Sequence, residues 1–174
     1  MPRNRSVKIP IKEVEMKIKE MTRQQILERI KKYFDLQELV CKHIYNKYGQ
    51  SAWDFFDKDF LAVLLYIREN LGKAIYVNNW QLKDGELTQR GLRCQHCQMV
   101  KDKTKDGKPY MSAHLFGKAL DFDVKGMTAE DVRQWIIAHK ADLPHPVRLE
   151  DKVSWVHLDV RYDDTEKMVY LFQV

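Results

Sequence analysis

The sequence predicts an α+β domain, with helices first and a small, mostly antiparallel sheet after them. Two patterns carry this reading: apolar residues recur every three to four positions between Thr22 and Gly72, and beyond Ala74 they fall into short β-branched and aromatic runs separated by turn residues. Size agrees, because 174 residues with a 44% apolar content can enclose one core without disulfide staples. With only 7 Gly and 5 Pro, a collagen-like or wholly disordered chain is excluded. The chain reads as one soluble domain over residues 33–174, preceded by a basic arm and the start of the first helix over 1–32. No repeat or low-complexity tract is visible.

In chain order, Thr22 caps a short helix carrying Ile26, Leu27, Ile30 and Tyr33 at helical spacing. Asp35 with Glu38 forms a capping box for a second helix running to about Tyr48 and closed by Gly49. Asp57 opens the clearest helix, with Phe60, Leu61, Leu64, Leu65 and Leu71 on one face and Gly72 as its stop. AIYVN, from Ala74, reads as a strand entering a long polar loop over residues 80–112. ALDFDV is a strand, and Thr128 with Asp131 starts an amphipathic helix bearing Val132, Trp135 and Ile136 that exits at Pro144 and Pro146. PVRLE, WVHLDVRY and KMVYLFQV read as three strands, with DDTE as the hairpin signal before the last.

Charge is unevenly placed. Residues 1–34 hold ten Lys/Arg against four Glu, and the rest of the chain nets −1 within a total of +5. A basic arm of this kind can be a solvated leader or can touch nucleic acid, anionic lipid or an anionic cell wall. No apolar run is long enough to span a membrane, and the start lacks the apolar region of a signal peptide. Synthesis in the cytosol is therefore expected. Three cysteines cannot close a disulfide framework, which suits a reducing compartment or metal binding.

The segment SAHLFGKALDFDV offers His114 and Asp121, and SWVHLDVR offers His157. Two imidazoles and a carboxylate are a competent zinc ligand set that leaves a position for water. A strand histidine between Val and Leu is more often a core residue held by hydrogen bonds. Gly117 permits close backbone approach, and Trp155, His157 and Asp159 share one strand face, so that Asp159 can orient an imidazole. The CQHC cluster supplies Cys94, His96 and Cys97, and Cys41, with His43 two residues on, can complete a Cys3His set for a second, structural ion. Reduced thiols or an occasional disulfide are the alternatives. Trp135 reads as core, and Trp80 and Trp155 flank the His/Asp segments, where they could stack on a ligand.

SAHLFGKALD matches the SxHxxGxAxD signature, and WVHLDV resembles the second signature, of the D-alanyl-D-alanine carboxypeptidase and Hedgehog-like zinc peptidases. The likeness extends through YFDLQELVC and DKDFLAVLLYIRENLGKAI into YVNNW, and so covers roughly residues 33–162. It implies a zinc ion on His114, Asp121 and His157, with Ser112 and Asp159 supporting the ligands. Two departures stand out. Where such enzymes often carry an acidic residue or a His shortly before the second zinc histidine, this chain has Ser154 and Trp155, so Glu150 or, preferably, Asp151 would be the general base. The SGYR-type turn, whose Arg would meet substrate or oxyanion, is replaced by NNWQLKDGELTQRGLRC, which offers Arg93, the preferred candidate, or Arg90.

The resemblance thus implies a zinc metallopeptidase, a carboxypeptidase or endopeptidase, acting on peptidoglycan stem peptides. With the missing leader and the basic arm, it suggests a phage endolysin or virion-associated wall hydrolase, acting as a monomer on the wall after release. A catalytically weak metal-binding module that recognises wall or protein is the second reading. A nucleic-acid binder comes last, because nothing in residues 112–161 asks for one.

Overall fold

The computed structural model describes residues 18–161 and 166–174. Most of the basic arm and all but the last residue of DDTE lie outside the described residues. The elements are α1 (Arg23–Ile30), α2 (Leu36–Leu39), α3 (Lys42–Tyr48), a 3-10 segment (Gly49–Phe55), α4 (Lys58–Leu71), β1 (Ile75–Tyr76), α5 (Gln98–Thr104), a 3-10 turn (Ala113–Phe116), β2 (Ala119–Val124), α6 (Ala129–Ala138), β3 (Val147–Glu150), β4 (Val156–Asp159) and β5 (Val169–Phe172). Helices precede a five-stranded mixed sheet, so the fold class is α+β.

The cap signals place the helices. Thr22 with Gln25, Asp35 with Glu38, and Thr128 with Asp131 all form capping boxes. The Asp57 carboxylate accepts from the Asp59 and Phe60 amides, and left-handed Gly72 closes α4. That helix is more central than its one-faced pattern suggests, since every residue from Phe60 to Ile67 is buried. It packs on α1, where Ile26 and Ile30 are buried and Tyr33 lies exposed beyond the helix end. No helix among the described residues is long and apolar enough to cross a membrane.

Three expectations are corrected. The second helix does not run through to Tyr48: Val40 and Cys41 are extended, because Val40 pairs with Leu92 in a short parallel bridge. The Leu92 amide donates to the Leu39 carbonyl and the Cys41 amide to the Leu92 carbonyl, and these tertiary bonds outcompete one helical turn. The long loop contains α5, which is capped by Cys97 and buries only Val100. Its helical pattern is too short and polar to read from sequence. Finally, the last strand is not the partner of β4 in a hairpin. Sheet order is β1-β2-β4-β3-β5, with β5 parallel to β3 at the far edge and the other pairs antiparallel.

Strand alternation gives the sheet two unlike faces. Leu120, Phe122, Val147, Leu149, Val156 and Leu158 point into the core, against the side where α6 packs. The opposite face carries Asp121, Asp123, Trp155, His157, Asp159 and Arg148. Asp121 stands directly across from His157 in the β2–β4 register.

Candidate metal centre

His114 comes to this face on the 3-10 turn rather than on a strand. The Ser112 hydroxyl caps the turn by accepting from the His114 amide at 3.4 Å, and left-handed Gly117 (φ 65°) ends it. A Cβ on Gly117 would sit 2.1 Å from the Phe55 carbonyl oxygen, so only glycine lets the turn lie against the 3-10 segment. From there the His114 Nε2 reaches to 3.3 Å from His157 Nδ1 and 3.4 Å from Asp121 Oδ2. His157 Nδ1 donates to Asp121 Oδ1 at 2.8 Å. His114, Asp121 and His157 thus place one potential ligand atom each within 4.8 Å of one another.

The surrounding bonds fix which ring nitrogen faces the cluster. His114 Nδ1 donates to the Gly91 carbonyl at 2.9 Å, which leaves Nε2 with its lone pair toward Asp121. His157 Nε2 donates to Asp159 Oδ2 at 3.0 Å, and Arg148 Nε in turn donates to Asp159 Oδ1 at 3.0 Å. Each imidazole therefore has its outer nitrogen held by an oxygen and its inner nitrogen aimed at the carboxylate, the arrangement that metal-ligating histidines use. Burial drives His114 toward the neutral form, against the pull of Asp121. Burial also opposes charge on His157, but its hydrogen bonds to Asp121 and Asp159 outweigh this and raise it to about 9. For Asp121 the penalty of burial is overcome by its interactions with the two imidazoles, which hold its carboxyl well below the usual range. Two imidazoles and a carboxylate with their inner atoms converging fit a divalent cation such as zinc.

The strip Arg90–Arg93 roofs the cluster. The Arg90 carbonyl accepts from the Asp121 amide at 2.8 Å and the His114 carbonyl accepts from the Arg93 amide at 3.0 Å. The Arg93 guanidinium, only 6% exposed, donates from Nη2 to Asp121 Oδ2 at 2.6 Å and from Nε to the Gln89 carbonyl. Arg90 instead pairs with Asp123 at 2.6 Å. An open cleft of about 550 Å³ runs along this roof, walled by Glu86, Arg90, Arg93, Asp121, Asp123 and Trp155, with Ser154 at its edge.

Two expected site residues lie elsewhere. Asp151 is turned to the sheet edge, where its amide donates to the Phe172 carbonyl and its carboxylate accepts from Gln173 Nε2 at 3.3 Å. It does not wall the cleft; the carboxylates that do, beside Asp121, are Glu86 and Asp123. Asp123 was legible as the next residue on the face of Asp121, whereas no local signal marks Glu86. Trp80 is not beside the His/Asp cluster. Its indole donates to the Val40 carbonyl at 2.9 Å, and the ring lies in a second cavity with Cys41, His43 and Cys97. Trp53 is buried and Trp135 is partly buried, stacked on His139.

That second cavity holds the other converging group. Cys41, His43, Cys94 and Cys97 bring their donor atoms within 4.8 Å of one another and could bind a metal ion. The imidazole in this set is that of His43; His96 is exposed, with its ring centroid 6.0 Å from that of His43, because the turn between Cys94 and Cys97 points its side chain outward. Arg133, 4% exposed on α6, is a positioning residue with no sequence signal. Its guanidinium donates to the carbonyls of Val153 and Trp155, both at 3.1 Å, and of Glu150 at 3.4 Å, and so clamps the β3–β4 turn that leads into His157. Comparisons with protein-family models, curated proteins and solved structures gave no match.

Proposed function

We propose that this chain is a zinc-dependent peptidase that hydrolyses a peptide bond in bacterial peptidoglycan, of the D-alanyl-D-alanine carboxypeptidase and Hedgehog-like type, working as a phage endolysin or virion-associated wall hydrolase. The observation that supports it most is the convergence of His114, Asp121 and His157 on one another, with Asp121 also on the wall of an open cleft, from the two segments whose patterns resemble those enzymes. His114 through Nε2, His157 through Nδ1 and Asp121 through its carboxylate would hold the ion. Bound there, zinc supplies a Lewis acid for a carbonyl oxygen and acidifies a water molecule.

The remaining chemistry falls to the chain's own side chains. Asp159 and the Gly91 carbonyl keep the two imidazoles in the ligating tautomer. Arg93, fixed by Asp121 and Gln89, presents positive charge to a developing oxyanion or to a substrate carboxylate. Glu86 replaces Asp151 as the group that takes the proton from the attacking water and passes it to the leaving amine. It is the cleft carboxylate not engaged by an arginine, as Asp123 is by Arg90. Trp155, 37% exposed at the cleft, gives a flat apolar wall for the peptide.

Mutants separate these roles. His157→Ala should abolish wall cleavage while leaving the circular dichroism spectrum unchanged. Glu86→Gln should keep zinc and lose roughly 10²–10⁴ in rate, whereas Asp151→Asn should lie within a factor of about two of the parent. Retained cleavage in His157→Ala would overturn the proposal. Ser154, at the position where such enzymes often carry an acid, favours the second reading, a metal-binding recognition module. Stoichiometric zinc with no turnover on any wall would establish that reading instead.

A further inference from the structure

We infer that Cys41, His43, Cys94 and Cys97 bind a second, thiolate-held zinc-class ion that clips the roof of the His/Asp cleft to the start of α3. The ligands come from two places far apart in sequence: Cys41 caps α3 and His43 lies in its first turn, and Cys94 and Cys97 form a tight turn at the start of α5. Cys41 Sγ lies 3.7 Å from Cys94 Sγ, and Cys97 Sγ lies 3.9 Å from His43 Nδ1. Backbone amides point at the sulfurs: the Cys94 amide donates to Cys97 Sγ and the His96 amide to Cys94 Sγ, both at 3.4 Å. Amide donors aimed at sulfur favour thiolates, the form that binds metal. Three thiolates and one imidazole are the donor set of closed structural zinc sites, and their softness sets this site apart from the His2Asp cluster.

Position gives the clip a task. Cys94 directly follows Arg93, in the strip whose Gly91 carbonyl orients His114 and whose Arg93 holds Asp121. The strip is anchored to α2 and α3 by the Leu92 amide on Leu39 and the Cys41 amide on Leu92, and little buried apolar surface supports the loop beyond it. A metal closing this long excursion offsets its loop entropy where the core does not.

Cobalt reads the two sites apart, because only thiolates give an intense sulfur-to-cobalt charge-transfer band. The reduced, intact protein should take up two equivalents of Co²⁺ and show that band. His157→Ala should keep the band and bind one equivalent. Cys97→Ser and His43→Ala should each lose an equivalent and the band with it, and His96→Ala should match the parent. In the His157→Ala protein, stripping the remaining metal should speed amide exchange at Leu92 and Arg93 by tenfold or more. No charge-transfer band in the reduced parent would overturn the clip, as would only one alkylatable thiol in the unreduced, denatured protein, the mark of a Cys41–Cys94 disulfide. None of these readouts depends on hydrolysis, so the clip and the peptidase proposal stand or fall separately.

Discussion

At His157, two carboxylates face one imidazole: Asp121 on Nδ1 and Asp159 on Nε2. Without metal the ring is an imidazolium up to about pH 9, since those bonds outweigh the burial that opposes its charge. His114 is already neutral near pH 7, because burial lowers it. Metal uptake must therefore expel the His157 Nδ1 proton and no proton from His114. The sign follows: zinc affinity at this site rises about tenfold per pH unit below pH 9 and levels off above it. Calorimetric titration of Cys97→Ser, which isolates this site, in buffers of differing ionisation enthalpy at pH 7.5 should show at least one proton released per ion, with any excess coming from water on the metal. Release of none would mean that His157 is not the ligand or is not charged. The grouping of His114, Asp121 and His157 was legible in sequence because the segments that carry it are short and local. The proposed proton acceptor was not, because Glu86 reaches the cleft that Asp121 also lines only through the way a long loop folds.

At the scale of elements, the site rests on devices of differing visibility. Capping boxes at Thr22, Asp35 and Thr128 involve residues three apart, so sequence finds them. The break at Val40 and Cys41 comes from pairing with Leu92, some fifty residues on, and local propensity there favours helix. Alternation along β2 and β4 put Asp121, His157 and Asp159 on one face, and the register confirms it. It could not disclose that β5 runs parallel to β3, since pairing order is a tertiary choice. Arg133 is the least visible device and a consequential one. Truncation to Ala leaves the Glu150, Val153 and Trp155 carbonyls without their buried donor. Arg133→Ala should lose roughly 2–4 kcal/mol in urea unfolding and raise Trp155 fluorescence mobility, with zinc binding weakened through the loosened strand. A loss within 0.5 kcal/mol would show that water replaces the clamp.

For the whole molecule, the sheet divides labour: its apolar face seals against the helices, and its polar face carries Asp121, His157 and Asp159 beside a cleft open to solvent. Helix-then-strand order was enough to predict that architecture, because each layer buries one stripe or one face. The long loop is where prediction stopped. Residues 80–112 contribute few buried side chains, so their placement depends on Arg–Asp pairs, on Asn78 bonding the Arg90 amide, and on the cysteine cluster. That loop brings Glu86, Arg90 and Arg93 to the wall of a cleft beside Asp121 and so turns a polar sheet face into a candidate active site. Hydrolysis of wall peptides at this face, through a metal held by His114, Asp121 and His157, is read out by mass spectrometry of purified peptidoglycan incubated with the zinc-loaded protein and with the protein held in EDTA. New stem-peptide fragments in the zinc sample, absent with EDTA, are the result predicted, and their masses identify the bond. Intact muropeptides from several wall chemistries, with zinc bound at full stoichiometry, would contradict it.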